Sequence, residues 1–410
     1  MVDIFAAEYK YAVGAGEDAG EFGEDPYRTT TATQELDLGL VASIQNFLAD
    51  EITGLDGRDV TGVQGEEGGP PSIKALRGSF PLSIPRCRTV DFAFLVAYMM
   101  GGKKLIGSPA AAQDTVGKEV LSRNSVTAGD LAWYAMYPSA TVGELKRFTL
   151  EAINSTVGGR FLDCAINSAR FRMEVGATAR SLAATCDIIV PSAKGLGHAS
   201  QPAAATSGLN AELNAGQMVI RLSKKSGDRL KENWQTTSTR NAALALGKSP
   251  SVIIDEDGTV FDITSDCEYW EWNFQNNVDI DRAYKFNSGV RMGELNRGQR
   301  SQTLEFGIPL GLDDNDYLAD ALAQTPFSAE IIVRGAAYTD TEVMFTSGFR
   351  VIFPTLYLRS VPLYLVGPQI YQRLQLEAKE GTGVPTVWVD AIVPTLTTKL
   401  AGANSPLTLT

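Results

Sequence analysis

The sequence predicts a mainly β protein, built of antiparallel β-sandwich or barrel domains with short flanking helices, in two tandem copies. Three observations carry that expectation. Apolar and polar residues alternate with period two over 169–175, 182–190, 270–275 and 303–310, the mark of antiparallel strands with one wet face. The 39 Gly and 18 Pro provide for many turns. A strand–helix–strand order occurs twice, Phe80 to Ile84 leading to a helix at 90–100 and Phe306 to Leu310 leading to a helix at 315–323. Residue identity between the two is negligible, so the duplication rests on pattern alone.

Residues 1–72 are rich in Gly, Thr and acid and read as an N-terminal arm or loop region, with one helix-like stretch at 36–48. Gly65-Glu-Glu-Gly-Gly-Pro-Pro71 is turn punctuation. The first β domain is expected at 73–190. Its opening strand, 75–84, ends at Pro85. Thr89 is expected to cap the next helix, with Asp91 favourably placed in its first turn. That helix, 90–100, is apolar almost all round, and a helix without a polar face is buried, in its own core or against another subunit. Phe92, Phe94, Leu95 and Met99 are therefore the candidate assembly or core residues, and Gly101-Gly102 stops the helix. Ala169, Phe171, Met173 and Val175 form one strand face; Leu182, Ala184, Cys186, Ile188 and Val190 form the next.

Residues 191–250 are Ala/Ser/Gly-rich at their start and read as a loop-rich connector, holding a strand at 218–222 and a short helix at 241–246. The second β domain, with the C-terminal strands, is expected at 251–410. Asp257-Gly258 suits a hairpin turn. Trp270, Trp272 and Phe274 give one strand face, and Leu304, Phe306, Ile308 and Leu310 the next. A capped helix at 315–323 and strands at 331–333, 349–353, 370–378 and 387–393 complete the chain.

Charge and residue usage remove several kinds of function. With 48 acidic against 36 basic residues the net charge is -12, which opposes binding to DNA or anionic lipid through a basic surface. A single His (His198) excludes zinc sites that need two or three imidazoles and any HExxH protease. Cys87, Cys164, Cys186 and Cys267 form no CxxC pair and read as small buried hydrophobes in a reducing compartment. The N-terminus lacks signal-peptide character, and the most apolar stretch, 92–100, is too short to span a bilayer. A soluble cytosolic protein without a membrane anchor is expected.

Each local motif has a plain structural explanation. Gly14-Ala-Gly-Glu-Asp-Ala-Gly20 misses a dinucleotide fingerprint by one residue, and Gly101-Gly-Lys-Lys104 lacks P-loop spacing. Asp255-Glu-Asp-Gly258 lacks the ligands of a calcium loop, and Asp313-Asp-Asn-Asp316 is explained by helix capping. His198 lies in a low-complexity connector with no GxSxG to serve. Tyr269, Trp270 and Trp272 are residues that line sugar sites elsewhere, but their alternation assigns them to a sheet core. Paired carboxylates separated in sequence keep a carbohydrate-active module or hydrolase as the alternative. The expectation is a structural, non-enzymatic protein with no cofactor and no metal.

Three segments, in order, resemble the tail tube proteins of long-tailed (siphovirus-type) bacteriophages. The first is Ser72-Ile-Lys-Ala-Leu-Arg-Gly-Ser-Phe-Pro-Leu-Ser-Ile-Pro85, followed by the apolar helix ending Met99-Met-Gly-Gly102. The second is Leu145-Lys-Arg-Phe-Thr-Leu-Glu151, then Gly159-Arg-Phe-Leu-Asp-Cys-Ala-Ile-Asn-Ser168. The third is Trp272-Asn-Phe-Gln-Asn-Asn-Val278, then Asn296-Arg-Gly-Gln-Arg-Ser-Gln-Thr-Leu-Glu-Phe306. The resemblance implies sandwich-like tube domains whose subunits join edge to edge in rings, the rings stacking into a hollow tube. It implies a virion tail location after assembly in the host cytoplasm, and as partners further copies of the chain and other tail proteins. It further implies that phage DNA passes through the tube without specific binding. Two tube domains per chain predict a trimer with pseudo-sixfold symmetry, with a hexamer as the alternative. A tail terminator or distal tail protein is the alternative within the virion.

Overall fold

A computed structural model describes residues 10–15, 36–37, 43–44, 51–53, 75–107, 131–138, 145–153, 158–176, 181–190, 192–197, 213, 218–224, 260–280, 295–310, 317–339, 344–379 and 386–394. The N-terminal strands are β1 (Lys10–Ala15), β2 (Leu36–Asp37), β3 (Ser43–Ile44), β4 (Glu51–Thr53) and β5 (Ala75–Ile84). Helix α1 (Thr89–Met100) follows, then β6 (Gly101–Gly107), β7 (Leu131–Pro138), β8 (Phe148–Ile153), β9 (Gly158–Glu174), β10 (Ala183–Val190) and β11 (Ser192–Gly197). Next come β12 (Met218–Ser223), β13 (Val260–Asp262), β14 (Tyr269–Gln275), β15 (Ser301–Pro309) and helix α2 (Tyr317–Ala323). The chain closes with β16 (Pro326–Thr339), β17 (Met344–Ser360), β18 (Leu363–Val366), β19 (Gln369–Ala378) and β20 (Trp388–Pro394).

Helix α1 is set by its ends and by its composition. Arg88 is extended (φ -87°, ψ 165°) and precedes the first turn. The Asp91 carboxylate reaches back to accept the Arg88 backbone N–H at 3.0 Å and the Arg88 guanidinium at 2.8 and 2.7 Å. Thr89, the expected cap, is instead the first helical residue, because this arginine–aspartate clasp satisfies the helix start. Gly101 ends the helix in the left-handed region (φ 74°), where a side chain is strained.

The sheet folds around this helix. On one side β5, β10, β9, β14, β15 and β19 pair in that order, each pair antiparallel. β19 then joins the C-terminal half of β17, whose N-terminal half pairs with β20, then β7, then β6. The other edge of β17 carries β16, then β12 and β13. β9 and β17 are long enough, 17 residues each, to take different neighbours along their length. Phe92 of α1 stacks on Phe349 of β17 (3.7 Å between centroids) and meets Phe171 of β9 edge-on at 5.0 Å. Trp272 of β14 touches Phe353 of β17 directly, 5.7 Å apart. The two layers thus close on each other and on α1. Each fully buried aromatic contributes roughly 1.5–3 kcal/mol.

The observed fold class is mainly β and antiparallel, as the alternation predicts. The β9–β14 ladder, running from Ser168↔Gln275 to Glu174↔Tyr269, joins the two β-rich segments in one sheet over a shared hydrophobic core. The strand–helix–strand order recurs as β5–α1–β6 and β15–α2–β16. Its environments differ: Phe92–Met100 have no exposed surface, whereas Leu318 and Leu322 of α2 are 62% and 80% exposed.

Several local expectations are corrected. The helix expected at 36–48 is strand where described, β2 pairing with β1 and β3 with β5, because β5 offers an open edge to the arm. β1 itself pairs with β8, so the N-terminal region contributes to the sheet. The connector expected at 191–250 begins as β11, which continues along β9 beyond β10. Val175 lies past the end of β9 and is 49% exposed; Leu310 lies past the end of β15 and is 46% exposed. The helix at 241–246 and the turn at Asp257-Gly258 fall outside the described residues.

Candidate functional site

The C-terminus of α1 lies inside the core, where its last carbonyls have no water to bond. Asn276, itself 0% exposed, supplies the donor: its Nδ2 donates to Met99 O at 3.1 Å and to Ile166 O at 2.9 Å. Its Oδ1 accepts from Arg300 Nε at 2.9 Å, and Arg300 Nη2 donates to Met100 O at 3.1 Å. Burial, then the neighbouring Arg297, lowers the Arg300 guanidinium to about 10. It stays charged at neutral pH, favourably placed at the negative end of the helix dipole. Asn167 extends the junction, its Oδ1 accepting from Val278 N–H at 3.0 Å and its Nδ2 donating to Asp187 at 3.2 Å. Asn277 adopts φ 51°, and its carbonyl oxygen is 2.2 Å from where a Cβ on Gly298 would sit. Only glycine fits there. Sequence alone left the three quoted segments apart; the fold brings Met99-Met100-Gly101, Asn167 and Asn276 to Arg300 together at this one point.

The outer face of the same sheet is a hydrogen-bonded ion-pair network. Arg170 and Arg172 meet Glu271 at 2.5 and 2.9 Å, and Asn273 donates to Glu271 at 2.9 Å. Burial pushes the Glu271 carboxyl up, but these partners outweigh it and hold the group below its usual value. Glu305 accepts from Tyr269 Oη at 2.5 Å and from Gln375 at 3.1 Å, with Arg373 at 3.2 Å. Tyr364 Oη donates to Glu268 at 2.9 Å. Burial and these carboxylates raise both tyrosines, so their hydroxyls stay protonated. Both rings lie over Gly307, where a Cβ would come within 2.3 Å of Tyr364 Oη and 2.4 Å of the Tyr269 ring. The charged groups of this network pair with one another, Arg373 Nε meeting Glu305 as an ion pair without a hydrogen bond. Among the described residues no three His, Cys, Asp or Glu side chains gather to hold a metal ion.

Beyond the core, β15, β19 and β18 run on together. Leu304, Phe306 and Ile308 of β15 point into the core, and the same face continues to Leu310. Leu310 N–H donates to Ile370 O at 2.9 Å, and Ile370 pairs with Leu365. Leu310, Ile370 and Leu365 thus form one row across three strands, 46%, 45% and 72% exposed, with Leu363 beside it at 59%. This is core face with nothing from the described residues covering it.

The expected residues Phe92, Phe94, Leu95 and Met99 all lie at 0% exposure in the chain's own core. Phe92–Met100 therefore present no surface to a second subunit. Trp270 and Trp272 are likewise buried at 0% and cannot line a sugar cleft. The four cysteines are buried and none is in a disulfide. His198, Asp255–Gly258 and Asp313–Asp316 fall outside the described residues. Sequence reasoning missed the exposed row, although one signal marked it: residues 361–372 contain no Asp, Glu, Lys or Arg in a chain that is 20% charged.

No protein-family model and no curated protein matches the chain. Among solved structures it is similar to one described as "Crystal structure of Hcp protein", with 11% identity, 42% of this chain and 96% of that chain covered, and a TM-score of 0.21. A likeness of that size carries no argument about fold or function.

Proposed function

We propose that the chain is a structural subunit of a bacteriophage tail tube, associating with its own copies into rings that stack as a conduit for the genome. The observation that carries this reading is the uncovered row Leu310, Ile370, Leu365 and Leu363, a core-type face extended past the core. Contiguous exposed apolar surface of this kind marks an interaction site. The convergence of the three resembling segments on the end of α1 supports it, since one device then accounts for all three. The net charge of -12 suits a wall that DNA passes without adhering. The role is non-catalytic, in the virion tail after assembly in the host cytoplasm, with other tail proteins as further partners.

Negative-stain and cryo-electron microscopy of the purified full-length chain test this. Rings or tubes are expected. Three chains per ring accord with two tube segments per chain, and six chains with one. Discrete monomers at every concentration refute the reading.

A further inference from the structure

We infer that the outer edge of β18 is a strand-acceptor site, filled in the assembly by an extended strand of a neighbouring copy of this chain. The inference rests on the tube-subunit reading and adds which backbone groups make the contact.

The hydrogen-bond phase of the hairpin identifies them. Arg373 N–H donates to Pro362 O at 2.9 Å, so Pro362, Tyr364 and Val366 are the residues that bond toward β19. In an antiparallel ladder alternate residues face opposite neighbours. Leu363 and Leu365 therefore turn their N–H and C=O groups away from β19. The phase of β19 agrees, because Ile370 O faces β15 and accepts from Leu310. Among the described residues β18 pairs with β19 alone. The same two leucines that turn their backbone groups away from β19 also carry exposed side chains on the apolar row, 59% and 72%. A strand added here bonds the backbone and covers the leucines in one step.

Charge selects a second copy as the occupant. Two chains of net charge -12 repel each other over most of their surface. Residues 361–372 carry no charged side chain, so the edge itself adds nothing to that repulsion. The stretch also lacks the lysines and other charges that normally blunt an open edge strand, and an apolar edge without them is an aggregation hazard unless it is paired. In a chain that works as an assembly, pairing with its own kind removes the hazard.

Hydrogen exchange resolved over 361–372 in the full-length chain, dispersed and assembled, tests this. The Leu363 and Leu365 amides should exchange freely when dispersed and at least about tenfold more slowly in the assembly, about 1.4 kcal/mol of protection. Leu365→Pro, which removes one N–H at an exposed position, should abolish assembly while urea unfolding stays near wild type. Leu365→Ser, which keeps the N–H and loses the apolar side chain, should only weaken assembly. Rings or tubes with unprotected Leu363 and Leu365, or normal assembly by Leu365→Pro, overturn the strand-acceptor site and leave the tube reading standing. A wild-type chain that never assembles overturns both.

Discussion

Replacing Asn276 by alanine isolates the junction at the end of α1. The side chain has no exposed surface and makes three hydrogen bonds, to Met99 O at 3.1 Å, to Ile166 O at 2.9 Å and from Arg300 Nε at 2.9 Å. Truncation strands the Met99 and Ile166 carbonyls in the core and one N–H of the part-buried Arg300 guanidinium beside them. A stranded buried group costs about 1–3 kcal/mol. The Arg300 bond is only part-buried and sits at the low end, so the three together amount to about 3–5 kcal/mol. Urea unfolding, followed by far-ultraviolet circular dichroism and by the fluorescence of the buried Trp270 and Trp272, reads the loss. Gln275→Ala, one residue away but exposed, should stay within about 0.5 kcal/mol of wild type. An Asn276→Ala loss below about 1 kcal/mol refutes the argument that this amide closes the helix end.

Phe94→Asp should leave no folded soluble protein, because Phe94 is 0% exposed and packs edge-on to Phe148 at 5.2 Å; an unpaired carboxylate there costs several kcal/mol, and Phe94→Leu should remain soluble in the same expression assay. Gly307→Ala should lower stability by about 1–3 kcal/mol through overpacking, since its methyl falls 2.3 Å from Tyr364 Oη; a neutral effect in urea titration contradicts that packing. Burial pushes the Glu271 carboxyl up, but Arg170, Asn273 and Arg172 hold it below the ordinary glutamate range in the folded chain. Its stabilising contribution is therefore complete above the ordinary glutamate range and is lost as pH falls through the lower folded value. The urea midpoint of Glu271→Gln should accordingly fall less than wild type on acidification below 4.5, and parallel curves refute the pairing with Arg170 and Arg172.

The elements that the sequence announced clearly are those whose local pattern states how each face is solvated. Alternation over 169–173 and 270–274 placed Phe171, Met173, Trp270, Trp272 and Phe274 inside, and all are buried. The absence of any polar face over 92–100 required a buried helix, and Gly101 stops it. The candidate site was less legible. The quoted segments contain Asn167, Asn276, Gly298 and Arg300, but nothing in their spacing tells which carbonyl an amide will meet. Leu310 continues the β15 alternation without interruption and is nevertheless exposed.

Sequence by itself determined the strand faces, the buried character of α1 and the acidic, single-histidine chemistry, because solvation preference and charge belong to each residue whatever its neighbours. Tertiary structure decided the rest. Whether α1 filled its own core or met another subunit depended on β9 and β17 closing over it from two sides. Whether Leu310, Ile370 and Leu365 were covered depended on where that core ends. Contacts between residues far apart in the chain are set by which surfaces meet, and a local pattern does not specify its partner.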